Sequence, residues 1–234
     1  MFIEKANQES REIVQLIEKQ CGNYWPMADD DTEGLDAECV EKALMRWKEC
    51  FAHKPSSNRQ PVFHNLTVDY LHTVEWSIFL YYASNELGRS GYEKWASKLY
   101  FLNKIMCSVD WFYAIELPNH FWAEHPVGSV LGRAKYGDNL FLYQGTTVGG
   151  SFRNGELKYP KLGDNVILYA NATVLGETII GNNVIVSANS YLINETVPDN
   201  CIIFGNSPDI IIKNVEPDKM RNKIKSLLQG VKRQ

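Results

Sequence analysis

Apolar residues recur at every sixth position over much of the second half of the chain, and this period restricts the fold more than any other feature. The residues form two runs, which are Tyr136, Leu142 and Val148, and then Leu162, Leu168, Val174, Ile180, Val186 and Leu192. A six-residue repeat fits neither the 3.6-residue period of an α-helix nor the two-residue period of a strand. It is typical of a parallel β-helix, in which three hexads make one triangular coil and the repeated apolar side chain points inward.

The residues between these apolar positions follow the same period. Two places after most of them stand small or turn-forming residues, namely Ala170, Gly176, Asn182, Ala188 and Asn194. Four places after them stand compact residues, namely Val166, Ala172, Thr178, Val184, Ser190 and Thr196. A bulky side chain would block a tight corner, so we expect the first set to occupy the corners of the coil.

The repeat is interrupted once. From Val148 to Leu162 there are 14 positions, two more than two hexads, and the interval contains Gly149, Gly150, Asn154, Gly155 and Pro160. We expect this segment to leave the coil as a loop. Loops on rigid scaffolds often carry functional residues.

The first half of the chain has helical spacing instead. Ile13, Leu16 and Ile17 share one face of a helix that Gly22 can end, and a second helix follows a cap at Asp36. Two more helices are expected over 67–85 and 92–106, and a short amphipathic helix after Pro217. The alternation of apolar residues over 109–117 predicts a strand. The acidic stretch 29–33 predicts a solvated loop, and 54–60 a linker between pairs of helices.

The change of period near residue 108 predicts an α+β architecture. We expect an α-helical domain over 1–107, a parallel β-helix over 108–213 and a C-terminal helical tail over 214–234.

Composition narrows the classes of function. The formal net charge is −4 and the isoelectric point is near 5.8, which argues against a nucleic-acid binder. Five scattered cysteines without a Cys-x-x-Cys pair suggest free thiols rather than disulfides or a zinc knuckle. We expect a cytoplasmic protein without a membrane span, because no apolar stretch approaches about 20 residues and the N-terminus lacks a signal-peptide pattern.

Four short motifs in the second half of the chain resemble those of a known family. Glu-His at 124–125, Gln-Gly-Thr-Thr-Val-Gly-Gly at 144–150, Pro-Lys-Leu-Gly-Asp-Asn-Val at 160–166 and Gly-Asn-Ser-Pro at 205–208 together resemble the catalytic segment of serine acetyltransferases. The likeness covers about residues 107–213. It implies that the β-helix is left-handed and that the chain forms homotrimers, or dimers of trimers joined through the helical domains, with active sites between neighbouring subunits. It also implies acetyl-CoA as co-substrate, a small-molecule acceptor and no metal.

The resemblance assigns roles to particular residues. His125 would be the general base, and an imidazole suits that role because it titrates near neutral pH. Glu124, in place of the usual Asp, would help to hold the site together. Gly149 and Gly150 would let the backbone approach the thioester, and main-chain groups of Ala170 and Ala188 would bind the pantetheine arm of acetyl-CoA.

Two positions depart from the family. Lys158 and Tyr159 stand where the family has the Arg-His pair that holds the acceptor. Lys158 can attract a carboxylate only as a point charge, and Tyr159 donates a hydrogen bond but is no base at neutral pH. Acetyl transfer therefore tolerates the change better than serine specificity does. The final Lys-Arg-Gln also departs from the isoleucine with which family members engage a cysteine synthase, so we do not expect that partner.

The preferred hypothesis is an O-acetyltransferase that acts on serine or a serine-like hydroxy compound by direct transfer. One alternative is acetyl transfer to a sugar hydroxyl or amine in surface-polysaccharide synthesis. Another is a metal-dependent lyase or hydratase that uses His120, Glu124 and His125, and the last is a noncatalytic assembly scaffold.

Overall fold

The computed structural model describes residues 2–25, 34–53 and 67–230. The acidic stretch at 29–33 and the expected linker at 54–60 lie outside the described residues. The helices are α1 (Phe2–Gly22), α2 (Ala37–His53), α3 (Thr73–Arg89), α4 (Glu93–Cys107) and α5 (Pro217–Gly230). The strands are β1 (Asp110–Trp111), β2 (Phe121–Glu124), β3 (Val130–Leu131), β4 (Leu140–Tyr143), β5 (Thr147–Gly149), β6 (Ser151–Arg153), β7 (Glu156–Lys158), β8 (Lys161–Leu162), β9 (Val166–Leu168), β10 (Thr173–Leu175), β11 (Ile179–Ile180), β12 (Val184–Val186), β13 (Tyr191–Ile193), β14 (Thr196–Val197), β15 (Cys201–Phe204) and β16 (Ile211–Asn214).

Local side-chain bonds set where the helices begin. Asp36 caps α2 as expected, because its Oδ1 accepts a hydrogen bond of 2.7 Å from the amide of Cys39. The helix expected from residue 67 begins only at Thr73, which corrects that prediction. His72 caps it by accepting from the amide of Glu75, and the preceding segment forms a turn in which Asp69 accepts from the amide of Leu71.

The helical layer packs directly on the first coil of the solenoid. The hydroxyls of Tyr81 and Tyr82 on α3 donate to the carbonyls of Ile115 and Asn119, at 2.8 and 3.0 Å. Both rings also make edge contacts with Phe121 on β2. The two parts therefore share one continuous core.

These contacts explain a second correction. The alternating segment 109–117 is a strand only at Asp110–Trp111. Beyond Trp111 the backbone carbonyls are bonded by side chains of α3 rather than by a neighbouring strand, with Asn85 donating to Tyr113 at 2.7 Å. Ile115 and Leu117 are nevertheless buried, so buried and exposed side chains still alternate although this segment is not a strand.

The solenoid has three parallel faces, as the six-residue period predicts. The first has the strand order β1-β3-β5-β10-β13, the second β2-β4-β9-β12-β15, and the third β8-β11-β14. Corresponding residues of successive coils lie side by side; Leu142, Leu168 and Val186 align in the second face. The antiparallel strand β16 pairs with β15 at the end of the second face.

The repeated apolar residues fill the interior, with two local exceptions. Eight of the nine are buried, whereas Tyr136 is half-buried and its hydroxyl donates to the carbonyl of Gly132. The last hexad is one residue short, because Ile180 pairs with Val197 across 17 positions rather than 18. Val197 is consequently buried and Thr196 exposed, so the sequence of compact residues at six-residue intervals shifts by one position here.

The three faces differ on their outer sides. In the second face the outward residues Trp122, Phe141, Ile167 and Ile185 are buried. The outward residues of the first and third faces include the exposed Val130, Tyr191 and Ile179. Helix α5 buries its apolar stripe, as expected. Across the described parts of the chain, no helix combines the length and the apolar character of a membrane span.

Candidate functional site

His125 and Glu124 lie together at a corner of the first full coil. Glu124 is the last residue of β2, and His125 follows it with φ of 48°, a left-handed conformation in which the chain turns. The side chain of His125 is 71% exposed and that of Glu124 25% exposed, and 3.7 Å separates Nε2 from Oε1. The structure therefore presents an accessible imidazole beside a carboxylate that is largely withdrawn from solvent.

Ala170 and Ala188 belong to the same row of corner positions as His125. The register of the second face places Gln144 beside His125, because Glu124 pairs with Tyr143. The alignment of Leu142, Leu168 and Val186 then extends the row to Ala170 and Ala188. Backbone bonds from Asn171 to Gln144 and from Asn189 to Ala170, each 2.9 Å, hold the row together. We call His125, Gln144, Ala170 and Ala188 the histidine row.

Gly149 and Gly150 lie at the far end of the first face. A Cβ atom on Gly150 would stand 2.9 Å from a ring carbon of Tyr159, so the aromatic ring requires glycine there. A Cβ on Gly149 would meet only Leu175 at an ordinary 3.8 Å. The space beside Gly150, where the sequence suggested that a thioester could approach, is thus occupied by the ring of Tyr159. The space beside Gly149 is more open.

The predicted loop between Val148 and Leu162 contains a β-hairpin. Strands β6 and β7 pair antiparallel around the turn residues Asn154 and Gly155, and both of these residues have positive φ. Sequence reasoning missed the hairpin although Asn-Gly is a strong signal for such a two-residue turn.

The hairpin and Glu177 line a polar cavity of about 420 Å³ that contains Lys158. Glu156 accepts a hydrogen bond from Lys158, which raises the pKa of the lysine and lowers the pKa of the glutamate. On the other side Arg153 pairs with Glu177 at 2.9 Å. Lys158 is therefore bonded within the hairpin, and an acceptor carboxylate would have to compete with Glu156.

The predicted site residues fall into two groups that one chain does not bring together. The histidine row lies at one end of the first face, and Gly149, Gly150 and Tyr159 lie at the other. At about 3.3 Å per residue, the five positions from Gln144 to Gly149 span on the order of 15 Å. One copy of the chain therefore does not place the two groups within contact distance of each other.

Comparisons with known proteins find sequence similarity to part of this chain. Residues 159–194 match the family model described as bacterial transferase hexapeptide (six repeats). Over 91 residues the chain is 30% identical to a serine acetyltransferase from Bacillus pumilus (strain SAFR-032), which is 36% of this chain and 42% of that relative. The chain is therefore similar to hexapeptide-repeat transferases and, over part of its length, to a serine acetyltransferase. The match spans less than half the length of the curated relative.

Solved structures of serine acetyltransferases share this fold. The serine acetyltransferase from Brucella abortus strain S19 has a TM-score of 0.61 at 17% identity, over 88% of this chain and 85% of that one. A serine acetyltransferase in complex with CoA has a TM-score of 0.56 at 18% identity, over 88% and 80% of the two chains.

Asp110, on β1, is a further acidic residue of the first coil that the hexapeptide pattern did not reveal. Its amide donates to the carbonyl of Ser129, in the coil that also carries His125. Its carboxylate accepts from Tyr100 and Lys104, both at 2.6 Å. Burial raises the pKa of Asp110, but the bonds from Lys104 and Tyr100 outweigh it and leave the pKa below its ordinary value.

His120 does not join Glu124 and His125, as the metal-dependent alternative required. Its Nδ1 lies 2.7 Å from Oδ2 of Asp138, and its ring contacts that of His53 with the centroids 4.5 Å apart and the planes tilted by 44°. Within residues 2–25, 34–53 and 67–230, no three His, Cys, Asp or Glu side chains converge as metal ligands would. The grouping expected for that alternative is therefore not assembled.

Proposed function

We propose that this protein is an acetyl-CoA-dependent O-acetyltransferase whose acceptor is serine or a serine-like small molecule. The observation that carries the proposal is the histidine row, which aligns an accessible imidazole with the two alanine corners expected to bind pantetheine. Relatedness to the serine acetyltransferases supports the same donor.

The chemistry needs one proton acceptor. His125 removes the proton of the acceptor hydroxyl while the hydroxyl oxygen attacks the thioester carbonyl. The tetrahedral intermediate then expels the CoA thiolate, and the imidazolium returns its proton to that sulfur. Glu124 orients the imidazole or the acceptor from its position 3.7 Å away. An amide at Gly149 or Gly150 stabilises the oxyanion of the intermediate.

The cysteines support direct transfer rather than an acetyl-enzyme. All five are buried, at positions 21, 39, 50, 107 and 201. Burial raises the pKa of Cys201, which lies in the solenoid, to about 11. A thiol nucleophile must be accessible and ionised, so burial of all five thiols and the raised pKa of Cys201 argue against one.

The separation of the two groups of residues supports a site built from neighbouring copies. In a cyclic trimer each interface is heterologous, so the histidine row of one copy can face the Gly149–Gly150 corner of the next. The exposed Val130, Tyr191 and Ile179 on the outer faces offer apolar surface for that contact.

A thiol-release assay tests the activity. Purified protein is mixed with acetyl-CoA and, in separate reactions, serine, homoserine, serinol or an amino sugar, and free CoA is trapped with a chromogenic disulfide. We expect acceptor-dependent release that is fastest with serine or serinol. Release fastest with an amino sugar would support the polysaccharide alternative, and no release above hydrolysis would refute acetyl transfer.

Subunit mixing tests the shared site. His125→Asn and Lys158→Glu are each expected to inactivate the protein, and the two are unfolded together and refolded as a mixture. If the groups come from neighbouring copies, random assembly restores roughly one quarter of the sites. If both groups come from one chain, the mixture stays as inactive as the two variants alone.

A further inference from the structure

A second row of side chains runs beside the histidine row, on the outer side of the second face. It consists of the residues that immediately precede the histidine row, namely Glu124, Tyr143, Tyr169 and Ser187, and it continues to Phe204 on β15. Three of its five members are aromatic. We call it the aromatic row.

The first two rings of the aromatic row show how rings fit the spacing of the coils. Tyr143 and Tyr169 stack with their centroids 5.0 Å apart and their planes 4° from parallel. Neighbouring strands lie about 4.7–4.9 Å apart, so the backbone holds the two rings at nearly the separation that stacking prefers. Phe141 contacts Tyr143 edge-on from the buried side and fixes the stack against the sheet.

Ser187 interrupts the run of aromatic side chains in the aromatic row. This residue aligns with Tyr169 on one side and Phe204 on the other, and its amide donates to the carbonyl of Ile203 at 2.9 Å. Tyr169 and Phe204 are therefore two strand spacings apart, about 10 Å. That distance accommodates one planar ring at about 5 Å from each. Ser187 is half-buried and Phe204 is 41% exposed, so the position opens to solvent.

We propose that Tyr169, Ser187 and Phe204 form a slot that binds a planar aromatic ring of a substrate. The ring continues the stack of Tyr143 and Tyr169, and its edge faces the Ser187 hydroxyl, which can donate to or accept from a ring nitrogen. The identity of the ligand rests on the proposed function: the adenine of acetyl-CoA is one source of such a ring, and an aromatic acceptor is the other.

The slot lies where either source can reach it. Ser187 directly precedes Ala188, and Tyr169 directly precedes Ala170, so the slot borders the part of the histidine row proposed to hold the pantetheine arm. Glu124 and His125 stand at the other end of the same two rows. A ring in the slot therefore lies beside the path of the donor and on the same outer surface as the base.

The test blocks the slot with a side chain of the protein itself. Ser187→Trp places an indole between Tyr169 and Phe204, whereas the matched control Ser187→Ala leaves the space open. We measure KM for acetyl-CoA and for acetyl-pantetheine, which lacks the adenine nucleotide, and KM for serine and for 3-phenylserine. Adenosine 3′,5′-bisphosphate is titrated by calorimetry as a probe that needs no catalysis.

If adenine occupies the slot, Ser187→Trp raises KM for acetyl-CoA roughly tenfold or more, weakens the bisphosphate equally, and leaves acetyl-pantetheine unchanged. If the acceptor supplies the ring, only 3-phenylserine is affected. Tyr169→Ala and Phe204→Ala, which remove one wall each, weaken the same ligand about three- to tenfold. They give an independent result should the tryptophan variant fail to fold.

Unchanged binding of every probe in Ser187→Trp, Tyr169→Ala and Phe204→Ala would overturn the slot while leaving the acetyltransferase proposal intact. Conversely, a wild-type protein that releases no thiol but binds the bisphosphate more tightly than Ser187→Trp does would refute the activity and support the slot. The two proposals therefore fail in different ways.

Discussion

Replacing His125 with asparagine separates its chemical role from its structural one. His125 has φ of 48°, and asparagine is among the residues that tolerate this left-handed region, whereas alanine would add about 1–2 kcal/mol of strain. The imidazole is 71% exposed and its Nε2 lies 3.7 Å from Oε1 of Glu124, so folding depends little on it. We expect the free energy of unfolding of His125→Asn to change by less than about 0.5 kcal/mol.

Catalysis should respond very differently. Removal of a positioned general base lowers kcat by about 10²- to 10⁴-fold, which corresponds to a barrier increase of about 2.7–5.5 kcal/mol. The expected increase in the activation barrier is thus at least five times the expected change in the free energy of unfolding. Thiol release at saturating acetyl-CoA and acceptor measures kcat, and urea unfolding measures stability on the same preparation.

His120→Asn is the matched control. His120 lies five residues away, is mostly buried and bonds Asp138 at 2.7 Å, so its replacement should lower stability by about 1–3 kcal/mol and leave kcat within about twofold. The pH profile of kcat/KM adds a second readout, because its acid limb should disappear in His125→Asn. If that variant keeps more than a tenth of kcat with the acid limb unchanged, His125 is not the base.

Three further predictions concern stability and reactivity. Asn165→Ala removes two side-chain bonds to Asn139 and Asn183 at a left-handed corner, so urea unfolding should show a loss of about 2–3 kcal/mol; an unchanged midpoint would contradict this. The lowered pKa of Asp110 means that its stabilising effect is complete above the unfolded pKa, about 3.9, and is lost as pH falls through the lower folded value. Asp110→Asn should therefore show a weaker loss of stability between pH 4 and pH 2 than the wild type, and equal slopes would refute the assignment. The five buried cysteines should react with a thiol reagent only after unfolding; rapid labelling of the native protein would contradict their burial.

The fold was largely predictable because the hexapeptide period is imposed by the coil itself. Each repeated apolar residue, such as Leu168, must return to the interior after one face, and no other common structure demands that interval. The short last hexad was not predictable. Thr196 and Val197 are both compact β-branched residues, so only the pairing with Ile180 reveals which of them points inward.

The motifs point to a set of candidate site residues but do not predict how these residues are arranged. The motif located His125 and the glycines, yet sequence spacing does not show that they occupy opposite ends of one face. The ion pair between Lys158 and Glu156 was also not predictable, because it depends on the hairpin that brings these two residues together. The stack of Tyr143 and Tyr169 depends on an alignment across 26 positions, which follows only from the inserted hairpin.

The helical layer has a consequence for how molecules of this protein meet one another. A parallel solenoid left open at its first coil would expose strand edges that can pair with another chain and start a fibre. Here Tyr81, Tyr82 and Asn85 engage the carbonyls just before β2, and Cys50 contacts the carbonyl of Phe121. At the other end the antiparallel β16 covers β15. The helices therefore cover the first coil and block its pairing with another chain. A chain that loses them should polymerise end to end.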